Sequence, residues 1–186
     1  MVTLTKGQKV DLRKEAPGLK RVLVGLGWDP VRGIFSSNMD IDASVICIDE
    51  KGHKDKVVYY GKKKAYSAIK HYGDNLTGEG DGDDEQIEIN LDLIPSNIQR
   101  LSIIINIYSA YSRGQHFGKV KNCYVHATDL DSGRELVQYK IDGNYDKHTG
   151  IFVADIYREN NVWNFQAIGD GCRVRDIDEM VRIKCR

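Results

Sequence analysis

Short runs of valine, isoleucine, tyrosine and phenylalanine recur along the whole chain, separated by glycine, asparagine and aspartate. Runs of this kind with turn residues between them are typical of β-strands. In residues 86–91 apolar and polar residues alternate, which is the pattern of a strand with one face on a core and the other in water. The pattern predicts strands at residues 21–28, 43–49, 56–60, 65–70, 85–91, 101–109, 120–129, 136–141, 151–157 and 162–168.

Turn and helix signals complete this pattern. Residues 131–133 and 158–161 predict hairpin turns. A single helical turn is predicted at residues 92–97, and a C-terminal helix opens at Asp176, with Glu179 three residues later as in a capping box. About ten strands with little helix predict an all-β fold, a two-sheet antiparallel β-sandwich with a short C-terminal helix.

Composition and charge exclude several classes of protein. A chain of 186 residues without a proline- or serine-rich linker predicts one domain. Lysine plus arginine and aspartate plus glutamate both total 27, so no overall field directs the chain to nucleic acid or to an anionic membrane. The first residues form no apolar leader and no run reaches the length of a membrane span, so we expect a cytoplasmic protein.

Cysteine and histidine residues are scattered along the sequence. Cys47 and Cys123 stand in apolar runs and are expected to be buried, whereas Cys172 and Cys185 stand among basic residues that favour the thiolate. The four cysteines form no zinc pattern and the five histidines do not cluster, so neither type predicts a metal site. Residues 114–119 are one residue short of a phosphate-binding loop. Arg113, Gln115 and Phe117 there predict either a binding surface or an ordinary turn.

The strongest chemical signal is the segment 73–85. Its thirteen residues contain six carboxylates and four glycines but no lysine or arginine. Like charges at this density repel one another, and a bound cation would remove that cost. Carboxylate oxygens and turned backbone carbonyls are the ligands that Ca²⁺ prefers, whereas Mg²⁺ favours rigid octahedra and keeps its waters. The segment therefore predicts a calcium site.

The glycine positions of this acidic segment exclude one common type of calcium-binding loop. A helix-loop-helix calcium hand is excluded, because a template started at Glu79 or Asp81 puts Asp84 or Gln86 where glycine is required. A solvated, flexible acidic turn without a metal is the alternative that the sequence leaves open.

A second acidic pair, Asp40 and Asp42, precedes the apolar run 45–48. Residues two apart in an extended chain point to one face, so both carboxylates can converge on one ion while Ile41 and Ala43 face the core. The pair equally fits two solvent-facing residues of a half-exposed strand.

Several stretches together resemble the TerD-type tellurium-resistance and general stress proteins of bacteria. The resemblance spans nearly the whole chain and includes the acidic pair and the acidic segment already described. Its other stretches are Leu4-Thr5-Lys6-Gly7, Val24-Gly25-Leu26-Gly27-Trp28-Asp29, Gln115-His116-Phe117-Gly118-Lys119-Val120, Glu159 and Val162-Trp163-Asn164-Phe165-Gln166-Ala167-Ile168-Gly169.

The resemblance implies one TerD-like domain over residues 1–186, a β-sandwich that binds calcium, usually two Ca²⁺ ions. The ligand positions that it implies, some of them through backbone carbonyls, are Asp40, Asp42, Asp74, Thr77, Gly78, Glu79, Asp83, Asp84 and Glu85. No catalytic residue is carried over. The expected role is an interaction or scaffold module in stress response and tellurite resistance, with other proteins of a stress-response or membrane-associated complex as partners.

Two departures and two alternatives accompany this resemblance. Where the family usually has His-Asp this chain has Tyr108-Ser109, and the chain is neutral whereas the family is commonly acidic. One alternative is an enzyme that detoxifies oxyanions with Cys172 as nucleophile, or that performs metal-assisted phosphoryl chemistry at the acidic segment. The other is a purely structural calcium site with binding elsewhere, for example near Arg113 and Phe117.

Overall fold

The computed structural model describes residues 1–29, 39–73 and 82–185. These residues form thirteen β-strands and three α-helices. The strands are β1 Val2–Leu4, β2 Lys9–Asp11, β3 Arg21–Asp29, β4 Ile41–Asp49, β5 Lys54–Val58, β6 Lys64–Ala65, β7 Ile69–His71, β8 Glu85–Asn90, β9 Ile98–Ile107, β10 Lys121–Asp129, β11 Arg134–Lys140, β12 Gly150–Glu159 and β13 Val162–Cys172. The helices are α1 Leu12–Glu15, α2 Ala110–Arg113 and α3 Ile177–Lys184.

The strands make two packed sheets. The seven-stranded sheet has the order β1-β11-β10-β3-β8-β7-β6, and the six-stranded sheet has the order β2-β13-β12-β9-β4-β5. The predicted all-β sandwich with a short C-terminal helix is confirmed. One edge departs from the antiparallel pattern, because β1 pairs with β11 in parallel.

Alternating strand residues fill the core between the sheets. Val24 and Leu26 of β3, Ile87 of β8, and Val45 of β4 are fully buried there. The polar residues that alternate with the buried ones in β8, such as Gln86, remain partly exposed to solvent. The alternation seen in the sequence of β8 is therefore the alternation of its two faces.

The outer face of the six-stranded sheet is covered by α3. Ile46, Ile104 and Phe152 on this face pack with Met180 of the helix in a second apolar cluster. Gly150 makes room for this contact, since a Cβ there would lie 2.9 Å from the Met180 sulfur. Both faces of β4 are consequently buried.

The start of α3 agrees with the predicted cap. The Asp176 side chain accepts a hydrogen bond from the Glu179 N–H at 2.9 Å. The Glu179 side chain in turn accepts the N–H of Arg175 at 2.8 Å, one residue before the N-cap. The first of these bonds satisfies an amide group that the first helical turn leaves unpaired, and the second fixes the chain just before the helix.

Several short elements differ from the sequence-based prediction. Strands β1 and β2 and helices α1 and α2 were not predicted, and the strand predicted at 65–70 is divided into β6 and β7. Tyr66 and Ser67 separate them, with φ angles of 54° and 55°. The helical turn predicted at residues 92–97 is a 3₁₀ turn at Leu91–Leu93.

The cysteines are all free thiols, and Cys47 and Cys123 are buried as predicted. The expectation that basic neighbours favour a Cys172 thiolate is wrong, because burial raises the pKa of Cys172 to about 11. Burial also raises the pKa of Cys185, against the opposing effect of Lys184 and Lys54. Within the described ranges, the helices are too short and too polar to cross a bilayer.

Candidate functional site

Of the nine predicted metal ligands, the structure describes five. Asp74, Thr77, Gly78 and Glu79 lie outside the described residues. The other five do not meet at one point, and residues 1–29, 39–73 and 82–185 contain no group of three or more His, Cys, Asp or Glu side chains arranged to hold a metal. Each of the five occupies a separate position with its own contacts.

Asp42 lies in β4 at the base of a cleft of 340 Å³, hereafter the β4 cleft. Its neighbour across the sheet is Asn106 of β9, and both side chains line the cleft. Ile41 and Ala43 face the core, as predicted. Asp42 is only 2% exposed, so the alternative of a solvent-facing residue is wrong for it. Asp40 lies beside this position, where its carbonyl accepts the N–H of Tyr108 at 2.8 Å.

The rim of the β4 cleft carries side chains of mixed character. Arg175, Asp176 and Asp178 lie on it at the start of α3. Tyr108 and Ser109, the pair that departs from the family pattern, also line the cleft, and Tyr108 is 46% exposed. The departure therefore lies in the same cleft as the predicted ligand Asp42.

Glu85 lies on the inner face of the seven-stranded sheet and reaches across to β4. Its Oε2 accepts the N–H of Ala43 at 2.9 Å and lies 3.1 Å from His71 Nε2. His71 Nδ1 accepts the N–H of Gly73, so Nε2 carries the ring proton and donates it to the Ala43 carbonyl at 3.1 Å. Both side chains are fully buried. In the described part of the chain β5 pairs with β4 only from Val45 onward. Before that residue, the side chains of Glu85 and His71 bind the N–H and the carbonyl of Ala43 at the edge of β4.

Asp84 is bound near the end of β3. Its Oδ2 accepts the N–H of Trp28 at 2.8 Å, and its own N–H donates to the carbonyl of Leu26 at 2.8 Å. Burial raises the pKa of Asp84, and the Trp28 amide only partly opposes this effect. The backbone bends at this residue and sends its two neighbours to opposite faces of the sheet.

Asp83 lies on the outer face of the seven-stranded sheet, opposite to Glu85. Its Oδ1 lies 2.7 Å from His126 Nε2 and accepts a weaker bond from the Tyr124 hydroxyl at 3.3 Å. Its Oδ2 accepts from the Gln86 amide at 3.0 Å. The other nitrogen of His126 lies 3.1 Å from the Thr128 hydroxyl. Asp83 is thus held by protein donors on both oxygens.

Two glycines of β3 provide the space for this arrangement. A Cβ at Gly25 would lie 2.1 Å from Asp83 Oδ2 and 2.2 Å from His126 Nε2, and a Cβ at Gly27 would lie 2.4 Å from the Tyr124 ring. Real Cβ atoms do not approach other atoms so closely. The absence of side chains at Gly25 and Gly27 therefore leaves the space that the side chains of Asp83, His126 and Tyr124 occupy.

The Asp83 and His126 contact shifts the pKa values of both groups. Burial disfavours the imidazolium, but the hydrogen bond and charge of Asp83 outweigh it and raise the pKa of His126. Burial likewise disfavours the carboxylate, yet the bonds from His126 and Gln86 lower the pKa of Asp83. The two groups consequently favour the ion pair.

Three residues of these sites had no direct signal in the sequence. His71, His126 and Asn106 are far in sequence from the groups that they meet, and only the strand pairing brings them together. Their strand parity was the available clue, because His71 shares the face of the core residue Ile69 in β7, whereas His126 and Asn106 alternate with core residues in β10 and β9.

Comparison with known proteins agrees with this architecture. Residues 1–182 match the TerD domain. The chain is 39% identical to stress response protein SCP2 of Bacillus subtilis, with 97% of each chain covered. It is 40% identical to tellurium resistance protein TerZ of Serratia marcescens, over 97% of this chain and 95% of that one.

A solved structure shows the same fold. It is that of SCO6318 from Streptomyces coelicolor, described as a homologue of the telluride resistance protein TerD. It superposes with a TM-score of 0.72 at 25% identity and covers 88% of this chain and 98% of that one. Because the domain match spans nearly the full length and the relatives exceed a third in identity, this chain belongs to the TerD domain family of tellurium-resistance and stress-response proteins.

Proposed function

We propose that this protein is a calcium-binding interaction module of the bacterial stress response. In this proposal Asp40 and Asp42 share Ca²⁺ with the acidic segment that contains Asp74, Thr77, Gly78 and Glu79. The main observation in support is that His71, two residues before that segment, and Glu85, its last residue, both contact the backbone of Ala43. Ala43 is the residue next to Asp42, so both ends of the acidic segment are anchored beside this carboxylate.

The donor set at Asp42 suits a hard cation. The carboxylate is 2% exposed, and Asn106 opposite it is 5% exposed. The Asn106 carbonyl oxygen is buried and accepts no hydrogen bond from the described residues. A buried acceptor without a donor is costly, and a cation would satisfy it. Carboxylate and amide oxygens are ligands of Ca²⁺, which takes about six to eight of them.

Each residue of the site has a distinct role in this proposal. A bound Ca²⁺ supplies the positive charge that offsets the repulsion among the carboxylates. His71 and Glu85 attach the acidic segment to the edge of β4. The hydrogen bonds of Asp83 attach the C-terminal end of the segment to the outer face of the seven-stranded sheet. The protein donors of Asp83 already engage both of its oxygens, so the proposed ligand set does not require this residue.

The interaction role rests on the rim of the β4 cleft. Tyr60 and Tyr108 are 36% and 46% exposed there, and the Arg113 guanidinium lies 5.9 Å from the centre of the Tyr108 ring. Tyrosine and arginine are enriched in protein interfaces. We propose other proteins of a stress-response or membrane-associated complex as the partners, and of this proposal only the stress-response context is in keeping with the name of a relative.

Calcium is expected to raise the thermal stability of the protein. Binding that is specific for the folded state adds RT ln(1 + [L]/Kd), about 2.7 kcal/mol at a hundredfold excess of free ligand. For a chain of this size that corresponds to a rise of about 5 to 10 °C in Tm. Thermal melts in Ca²⁺, in Mg²⁺ and in chelator, with calorimetry, measure the effect. Magnesium should do much less, and Asp42→Asn should blunt the calcium response.

Asp92→Asn is the matched control, because Asp92 is exposed and its side chain makes no ion pair within the described ranges. A melt that is identical in Ca²⁺ and in chelator, with no heat of binding at millimolar calcium, would refute the metal site. The interaction role is tested by comparing the proteins captured from lysate by wild type and by Asp42→Asn, each with and without chelator. If neither Asp42→Asn nor chelator changes the set of captured proteins, partner binding does not depend on calcium.

The enzymatic alternative has less support. A thiol of pKa about 11 is almost wholly protonated at neutral pH, and the thiolate is the nucleophilic form. Cys172 also packs against the apolar cluster beneath α3. We therefore propose binding rather than thiol catalysis as the function.

A further inference from the structure

A second cleft of 350 Å³ borders α2 and contains cationic side chains, and we call it the basic cleft. Tyr111, His116, Lys147, Thr149 and Arg173 line it. Its volume is within the range of small-molecule sites, about 300 to 1,000 Å³. The basic cleft shares no lining residue with the β4 cleft.

Within the described residues, no carboxylate forms an ion pair with the lysine or the arginine of this cleft, Lys147 and Arg173. The one nearby carboxylate contact joins His116 Nδ1 to Asp146 at 4.0 Å, which is beyond hydrogen-bond distance, and this Nδ1 is buried without a hydrogen bond in the described part of the chain. We propose that the basic cleft binds a phosphate-type oxyanion, as inorganic phosphate or as a small phosphomonoester.

Lys147 is held at the cleft by an unusual backbone conformation. It is the third residue of a turn in which the His148 N–H donates to the carbonyl of Tyr145 at 3.1 Å. Its φ is 67°, a value that favours glycine or asparagine at this turn position. A lysine there is strained, and strain of this kind is concentrated at ligand sites.

The three segments that carry His116, Lys147 and Arg173 are joined by short hydrogen bonds. The Phe117 N–H, next to His116, donates to the carbonyl of His148 at 2.9 Å. The Thr149 hydroxyl accepts the Val174 N–H at 2.8 Å and so fixes the strand end that carries Arg173. The Arg173 guanidinium also lies 5.3 Å from the centre of the Tyr111 ring. The backbone segments that carry the three side chains are therefore held together before any ligand enters.

The chemistry of the lining selects the class of ligand. A guanidinium binds two oxygens of one phosphate in parallel, an ammonium acts as a point charge, and imidazole donates a further bond. A phosphate with close to two negative charges matches the two fixed cations, Lys147 and Arg173. The Tyr111 ring beside Arg173 provides a surface for an organic substituent, which distinguishes an ester from free phosphate.

Isothermal calorimetry with inorganic phosphate and with phenyl phosphate tests the proposal. It is performed in calcium-depleted buffer at constant ionic strength, so its result is independent of the metal site. Lys147→Gly and Arg173→Gln should each weaken binding at least about tenfold, the loss expected for one charge-assisted contact. Lys147→Gly removes the ammonium and also relieves the backbone strain, so its Tm should not fall.

Lys14→Gln is the matched control, because it removes one positive charge from an exposed position on α1. Tighter binding of phenyl phosphate identifies an ester as the ligand, and equal affinities identify free phosphate. No binding of either anion at millimolar concentration would overturn the proposal. An equal loss in Lys14→Gln and Lys147→Gly would also overturn it, because the attraction would then come from overall charge.

Discussion

Asp83 and Glu85 are two residues apart, yet the protein uses their carboxylates on opposite faces of one sheet. Asp83 lies on the outer face in a partly exposed ion pair with His126. Glu85 lies on the inner face, fully buried, against the backbone of β4. The first contact stays within the seven-stranded sheet, whereas the second joins the two sheets. The acidic segment therefore ends in two attachments of different kinds. The lateral attachment is the contact of Asp83 with His126 within one sheet, and the attachment across the core is the contact of Glu85 with β4 of the other sheet.

The largest expected effect comes from Glu85→Ala. The substitution leaves the buried N–H of Ala43 without its acceptor and removes the carboxylate oxygen that lies 3.1 Å from His71 Nε2. Loss of one member of a buried hydrogen-bonded pair costs about 3 kcal/mol. Urea unfolding in chelator measures this cost without a contribution from calcium. Glu85→Gln should lose less, since its amide oxygen can still accept from Ala43, and equal stability of Glu85→Ala and wild type would contradict the attachment across the core.

Gly25→Ala should lower the free energy of unfolding by less than Glu85→Ala does, because it disturbs only the contact between Asp83 and His126. Its Cβ would lie 2.1 Å from Asp83 Oδ2, so the carboxylate and His126 must move apart. Overpacking of this kind costs about 1 to 3 kcal/mol, towards the lower end here because the ends of side chains can shift. Urea unfolding of the single variants and of Gly25→Ala combined with Asp83→Ala forms a double-mutant cycle. Additive losses in the cycle would show that the glycine serves another purpose.

The smallest effect is a pH dependence of the Asp83 and His126 pair. The raised pKa of His126 gives stability that is complete below about pH 6.5 and is lost as the pH rises through the folded value. The lowered pKa of Asp83 gives stability that is present above about pH 3.9 and is lost as the pH falls through its folded value. The advantage of wild type over His126→Gln should therefore be greater at pH 6 than at pH 9, by less than about 1 kcal/mol.

Unfolding in chelator at both pH values measures that difference. Asp83→Asn is the control, because it removes the charge that favours the imidazolium and should remove most of the pH dependence. An advantage of equal size at pH 6 and pH 9 would show that His126 acts through packing alone.

Strand periodicity predicted most of the sandwich because most of its strands alternate cleanly. Ile87, Ile89 and Leu91 were predicted to face the core, and all three are buried. The division between β6 and β7 was missed because Tyr66 and Ser67 adopt left-handed backbone angles that neither residue type favours. Local sequence carried no sign of that turn.

The candidate site was predictable in part. The orientation of Asp42 followed from strand parity, but its burial did not, since the start of α3 borders its cleft from far along the chain. Parity alone would place Asp83 and Glu85 on one face. The bend at Asp84 reverses this, because its amide binds Leu26 while its side chain binds Trp28. Such a bend depends on tertiary contacts rather than on local sequence.

The N-terminal strands connect the two sheets to one short stretch of chain. β1 joins the seven-stranded sheet through Val137 to Tyr139, and β2 joins the six-stranded sheet through Asn164 to Gln166. Neither edge exists until more than a hundred further residues have been made. Pairing between segments so distant in sequence forms slowly, since the chain entropy of closing a long loop is lost before the contact is gained. During synthesis β1 and β2 therefore leave the ribosome well before the strands that they pair with, and each sheet receives this edge strand late in folding.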